Sequence, residues 1–162
     1  MILMAEFTYN PVQLVLPNQP VVLNTSIGCP HGYVLHRNES GIVTLRGIVN
    51  GNGCFARYQV TFNANLAIPE GGTAPAPISV ALSLDGEPIL TSRAIVTPAE
   101  TATDPPTQAN FFNVTSTAII DVARGCCFNV SVENTSESAE PAELPAPAIL
   151  VQNANLTVAR IA

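Results

Sequence analysis

Apolar and polar residues alternate one by one through "CFARYQVTFNANLAI" (54–68). Side chains of a strand point alternately to its two sides, so Ala56, Tyr58, Val60, Phe62 and Leu66 share one face. Arg57, Gln59, Thr61, Asn63 and Asn65 share the other. This is the clearest strand in the chain. Others follow between prolines, glycines and Asn-Gly or Asp-Gly turns, which tolerate positive φ: "VQLVL" (12–16), "VVLNT" (21–25), "YVLHR" (33–37) and "GIVTLRGIV" (41–49), the last ended by "NGNG". "ISVALSLDGEPIL" (78–90) reads as a pair folded about Asp85-Gly86, and "SRAIVT" follows it. After a loop at "PAETATDPPTQ" (98–108) come "NFFNVTSTAIIDV" (110–122), "CFNVSVEN" (127–134) and "AILVQNANLTVARIA" (148–162). The acidic, proline-rich "TSESAEPAELPAP" between the last two reads as an exposed loop.

Helical periodicity is missing, and the β-branched residues and prolines oppose it. About ten short strands in a single domain predict an all-β sandwich, and the jelly roll is the expected form. The expected division is a mounting segment over 1–10 followed by a jelly-roll domain over 11–162. In the first, Ile2, Leu3, Met4 and Phe7 are too few for a core strand but suited to docking into a neighbour.

Composition narrows the function. The chain of 162 residues is 47% hydrophobic and only 11% charged, with a formal charge of -6. It contains no lysine, and its six arginines are scattered. Nucleic-acid binding relies on clustered cations, so no nucleic-acid partner is expected. No apolar run approaches the roughly 18 residues of a membrane-spanning helix, so no membrane insertion is expected. The start "MILMAEFTYNP" lacks a basic region and a long apolar run, and no signal peptide is expected. Six Asn-x-Ser/Thr triplets, beginning at Asn24, Asn38, Asn113, Asn129, Asn134 and Asn155, read as composition, because several fall inside predicted strands.

Candidate chemistry is sparse. Alternation extended back from Phe128, Val130 and Val132 turns Cys126 into the core and Cys127 outward, while Cys54 shares the face of Tyr58. The leading reading of the cysteines is small buried hydrophobes at strand starts. A disulfide involving Cys29, Cys54, Cys126 or Cys127 stays open, although adjacent cysteines pair only with strain. Zinc held by Cys29, His31 and the vicinal pair is a weaker alternative, since the spacing is no recognised ligand set. His31 and His36 are the only histidines, and neither has a nucleophile or orienting carboxylate that the sequence can place beside it. Asp85, Asp104 and Asp121 are dispersed. No nucleophile elbow, phosphate loop or zincin helix occurs. No enzyme activity, metal or cofactor is expected.

The order of "ARYQVTF", "ISVALSLDGE", "STAIIDVARGCCFNVSVEN" and "NANLTVARIA" resembles the tumour necrosis factor-like superfamily, which includes the globular heads of complement and of bacterial spore-surface collagen-like proteins. Tyr58, Val60 and Phe62 take the places of a Gly-x-Tyr-x-Val/Phe-x-Phe strand, with Ala56 at the glycine. Gly125 matches the glycine of a late Leu-x-x-Gly-Asp-x-Val turn, with Cys126 replacing the aspartate. The resemblance runs over roughly 10–162. It implies a ten-strand jelly roll assembled as a homotrimer, one sheet packed about the threefold axis. Taken alone, Arg57, Gln59, Thr61 and Asn63 form a solvated face; under the resemblance they, or their neighbours in the last strand, become candidates for the trimer contact. No Gly-X-Y repeat is present, so a collagen stalk is not expected.

The expected function is a non-enzymatic structural or attachment protein: a homotrimeric head on a particle surface, foremost a phage virion, as capsid decoration or fibre head. Its expected partners are itself, other virion or surface-layer proteins, and a host glycan. The alternative is a carbohydrate- or receptor-binding head on a bacterial spore or cell surface, its ligand held by "PEGGTAPAP" and "PAETATDPPTQ". A cupin-like enzyme would need a histidine cluster that two histidines do not supply.

Overall fold

The computed structural model of the chain describes residues 3–27, 32–138 and 145–162. Among these, twelve strands and a single turn of 3-10 helix at Leu90–Ser92 form two six-stranded antiparallel sheets. The first sheet is built from β1 (Leu3–Tyr9), β2 (Gln13–Val15), β3 (Thr25–Ile27), β6 (Phe55–Ala67), β10 (Phe112–Ala123) and β12 (Ile149–Arg160). Its order is β10-β6-β12-β1-β3, with β2 beside β12. The second holds β4 (Val34–His36), β5 (Val43–Arg46), β7 (Ile78–Leu84), β8 (Glu87–Pro88), β9 (Ala94–Val96) and β11 (Cys127–Asn134). It runs β4-β5-β11-β7-β8, with β9 beside β7. The chain passes repeatedly from one sheet to the other, at β3 to β4, β5 to β6, β6 to β7, β9 to β10, β10 to β11 and β11 to β12, as the two-sheet jelly roll expected from the strand pattern requires.

The core lies between the sheets. Phe7, Tyr58, Phe62, Leu66 and Leu156 project into it from the first sheet, and Leu45, Ile78 and Leu82 from the second, all fully buried. Burying each such side chain stabilises the fold by about 1.5–3 kcal/mol. The alternation predicted for β6 holds from Ala56 to Leu66. In β12 a bulge between Gln152 and Asn155 absorbs one extra residue, with Asn153 at φ 53°. The inward face therefore resumes at Ala154, Leu156 and Val158. The Tyr58 hydroxyl joins the sheets by donating to the backbone carbonyl of Arg46, with the Tyr33 carbonyl 3.3 Å away.

The beginning of the chain departs from expectation. Leu3–Tyr9 is no separate mounting segment: it pairs with β12 from Leu3↔Arg160 to Tyr9↔Ala154, and with β3 on its other side. Ala5 and Phe7 are buried in the core, while Met4 is exposed. Phe7 is thus a core residue, not a docking residue, and its ring packs 4.7 Å from that of His36. The apolar residues are few because only alternate positions face inward. Ile2 lies outside the described residues.

The cysteine reading also needs correction. Cys54, Cys126 and Cys127 are all exposed free thiols, not buried hydrophobes. A turn, with Gly125 at φ 74° and Cys126 N–H donating to the Ala123 carbonyl, breaks the strand before Cys127. Alternation therefore cannot be carried back through Cys126. Cys54 precedes β6, so its position is not fixed by the pleat.

Candidate functional site

The outward face of the first sheet is a regular, largely polar surface. Register places the side chains in rows across the strands. One row runs Thr117, Thr61, Thr157, Glu6, Ile27, and the next Thr115, Asn63, Asn155, Thr8, Thr25. Toward one end lie Ile119, Gln59, Ala159 and Met4, then Asp121 and Arg57. Toward the other lie Asn113, Asn65 and Gln152. All four predicted contact residues, Arg57, Gln59, Thr61 and Asn63, sit on this face along β6, the strand between β10 and β12.

The polar groups largely satisfy one another. Thr61 and Thr117 hydroxyls lie 3.2 Å apart. The Asn63 amide donates to Thr115 Oγ1 at 2.7 Å and to Asn113 Oδ1 at 3.2 Å. The Asn113 amide donates in turn to Asn65 Oδ1 at 3.1 Å, Thr157 donates to Asn155 Oδ1 at 3.1 Å, and the Asn155 amide donates to Glu6. Neutral groups already paired with each other lose less on leaving water than unpaired ones. Around them stand exposed apolar side chains: Met4 at 60%, Ile119 at 55% and Ile27 at 52%. The Arg57–Asp121 pair closes one end, its hydrogen bonds holding the Asp121 carboxyl below the usual aspartate range and raising the Arg57 guanidinium. The sequence reading included the neighbours of this face in the last strand, where Thr157 lies on β12, but not Thr115, Thr117 and Ile119, although the odd-numbered positions of β10 carried the signal.

The other candidates are less organised. Loop residues 69–77 line a groove of about 390 Å³ together with Glu137 and residues 145–148. Its walls are mainly proline, alanine and glycine, with the carboxylates of Glu70 and Glu137; the latter is bound 2.7 Å from Arg93. The second loop expected to hold a ligand, 98–108, contributes nothing to this lining. His36 is fixed by Ser26 Oγ at 3.2 Å and by the Ser40 carbonyl at 2.9 Å, so both ring nitrogens serve the fold. Asp85 accepts from the Asn129 N–H at 2.8 Å. Among the described residues no three His, Cys, Asp or Glu side chains converge as metal ligands; Cys29 and His31 lie outside them.

Asn134 shows what one of the Asn-x-Ser/Thr triplets does. It is fully buried, donating to the Val15 and Pro147 carbonyls at 3.1 and 2.9 Å and accepting from Ser136 N–H at 3.0 Å. Its amide ties the end of β11 in the second sheet to β2 in the first.

Known structures match the chain over nearly its whole length at low sequence identity. Eiger, a TNF from S. frugiperda, gives a TM-score of 0.64 at 14% identity, covering 99% of this chain and 93% of that one. The globular domain of zebrafish complement 1qA protein gives 0.59 at 13%, covering 98% and 96%. Murine APRIL gives 0.55 at 11%, covering 98% and 99%. The fold is therefore the TNF-like jelly roll. No family model matches the chain, and neither does any curated protein sequence.

Proposed function

We propose that this protein is a non-enzymatic head that assembles as a homotrimer, with the outward face of the first sheet packed about the threefold axis. The observation that carries the reading is that face itself, a broad array of neutral, mutually hydrogen-bonded threonine and amide side chains flanked by exposed Met4, Ile27 and Ile119. Such a surface can be buried against copies of itself with few charges to desolvate, namely Glu6, held by the Asn155 amide, and the Arg57–Asp121 pair. Arg57, Gln59, Thr61 and Asn63 are the contact residues on β6, and Met4 belongs to the same contact. The resemblance drawn from the sequence implies the same use of one sheet.

The head is displayed on a particle surface, foremost a phage virion, as capsid decoration or fibre head. Support for display comes from the lightly charged chain, 11% charged residues without lysine. Antiserum against the purified head tests the location: gold labelling of virions in electron micrographs is the expected result, and labelling confined to spores or cell surfaces would overturn it. That second outcome belongs to the alternative, a carbohydrate- or receptor-binding head on a bacterial spore or cell surface. The groove beside residues 69–77 favours it. Loss of glycan-array binding on replacing that loop would identify the groove as the ligand site.

A further inference from the structure

Three of the four cysteines stand at one tip of the sandwich. Residues 47–54 and 123–127 are bound there backbone to backbone: Arg124 N–H donates to the Cys54 carbonyl at 2.9 Å, Gly125 N–H to Ile48 at 3.2 Å, and Gly47 N–H to Cys126 at 2.9 Å. The approach is so close that a Cβ on Gly47 would lie 2.0 Å from the Ala123 carbonyl oxygen. Cys127 opens β11 directly across from Arg46. Cys54, Cys126 and Cys127 are nevertheless all exposed and free. Unpaired cysteine is ordinarily among the most buried residue types, so three exposed thiols on one rigid tip call for a use.

We propose that this tip is a covalent cross-linking site between copies of the chain, formed by disulfides among Cys54, Cys126 and Cys127 of neighbouring subunits. Among the described residues no three metal-ligating side chains converge. Pairing of Cys126 with Cys127 would strain the peptide between them. The partner is a second copy because the tip lies where β6 begins and β10 ends, with Phe55 paired to Ala123. These two strands carry much of the self-association face, and the inference rests on that reading. A cyclic assembly holds equivalent atoms of every copy at one height along its axis, so the tips form a ring at one end.

The chemistry needs an oxidant, here a small-molecule disulfide such as oxidised glutathione. A protein thiolate attacks it, forming a mixed disulfide and releasing one glutathione thiolate. A thiolate of the neighbouring copy then attacks the protein sulfur, the intersubunit disulfide forms, and the second glutathione leaves. Two protein thiols are oxidised and one glutathione disulfide is reduced to two thiols.

The test uses the whole chain, purified with reductant, freed of it, exposed to oxidised glutathione and run on a denaturing gel without reductant. The expected result is a ladder of covalent dimer and trimer that dithiothreitol removes. Replacing Cys54, Cys126 and Cys127 together by Ser should cut the ladder at least tenfold without altering the circular dichroism, whereas Cys29→Ser should keep it. Monomers carrying only glutathione or an internal disulfide would overturn the proposal, as would a ladder that depends on Cys29 alone. Light scattering in reductant separates this from the parent reading. A reduced trimer without a ladder sinks the cross-link alone; a ladder from a protein that is monomeric when reduced supports the thiols and sinks the trimer.

Discussion

Arg57 and Asp121 face each other across β6 and β10 through two parallel hydrogen bonds, Nε to Oδ1 at 2.7 Å and Nη2 to Oδ2 at 2.8 Å. The Asp121 pKa is lowered chiefly by the hydrogen bond from Arg57. A lowered folded-state pKa means the pair's stabilisation is fully present above the unfolded aspartate value of ~3.9 and is lost as pH falls through the folded value. Asp121→Asn should therefore lower Tm slightly at pH 6, and the gap from the parent should close as the pH is taken down through the lowered Asp121 pKa. Because the pair stands at the end of the face and is about half exposed in the single subunit, added salt should shrink the gap as well. Thermal melts across pH check both trends.

The Tyr58 hydroxyl reaches from the first sheet to the Arg46 carbonyl at the end of β5. Its side chain is fully buried, and burial is the main cause raising its pKa. Tyr58→Phe keeps the packing and removes the donor, so it should cost about 1–2 kcal/mol in urea unfolding. Tyr58→Ala adds a cavity and should cost about 3–5 kcal/mol.

Asn134 satisfies two carbonyls and one N–H in the interior. Asn134→Ala leaves all three without their partner and should destabilise the protein by about 3 kcal/mol. Chemical denaturation checks this value, and a loss under about 1 kcal/mol would mean water replaces the amide.

The two-sided strands were the legible part of this fold. Residues 54–68 alternate so regularly that β6 and both its faces could be read directly, and "CFNVSVEN" coincides with β11. Asp85-Gly86 marks the turn between β7 and β8, with Asp85 at φ 51° and Gly86 at φ 87°. Local pattern failed where long-range pairing decides. Among the described side chains of Leu3–Tyr9, Ala5 and Phe7 are the buried hydrophobics, and the segment becomes a strand because β12 lies beside it. Cys126 was misplaced for a related reason: strand alternation holds only inside the pleat, and the turn at Gly125 ends it. β7 is buried on both faces from Ile78 to Ser83, which its sequence of small and branched residues does not announce. The contact face was legible along β6 alone, since its rows are completed by β10, β12 and β1, whose order in the sheet differs from their order in the chain.

Thr61 lies opposite both Thr117 and Thr157, near the middle of the outward face. Thr61→Arg places a cation there in every copy. A bulky cation in every copy must be desolvated at the contact and would wedge the faces apart, so the variant should fall to monomer while keeping its β-sheet circular dichroism. An unchanged mass would remove this face from the contact.

Self-association is measured most directly by multi-angle light scattering of the untagged protein in reducing buffer at micromolar concentration. The expected mass is that of three copies of the 17.0 kDa chain. A single species at 17.0 kDa over that concentration range would contradict the trimeric head.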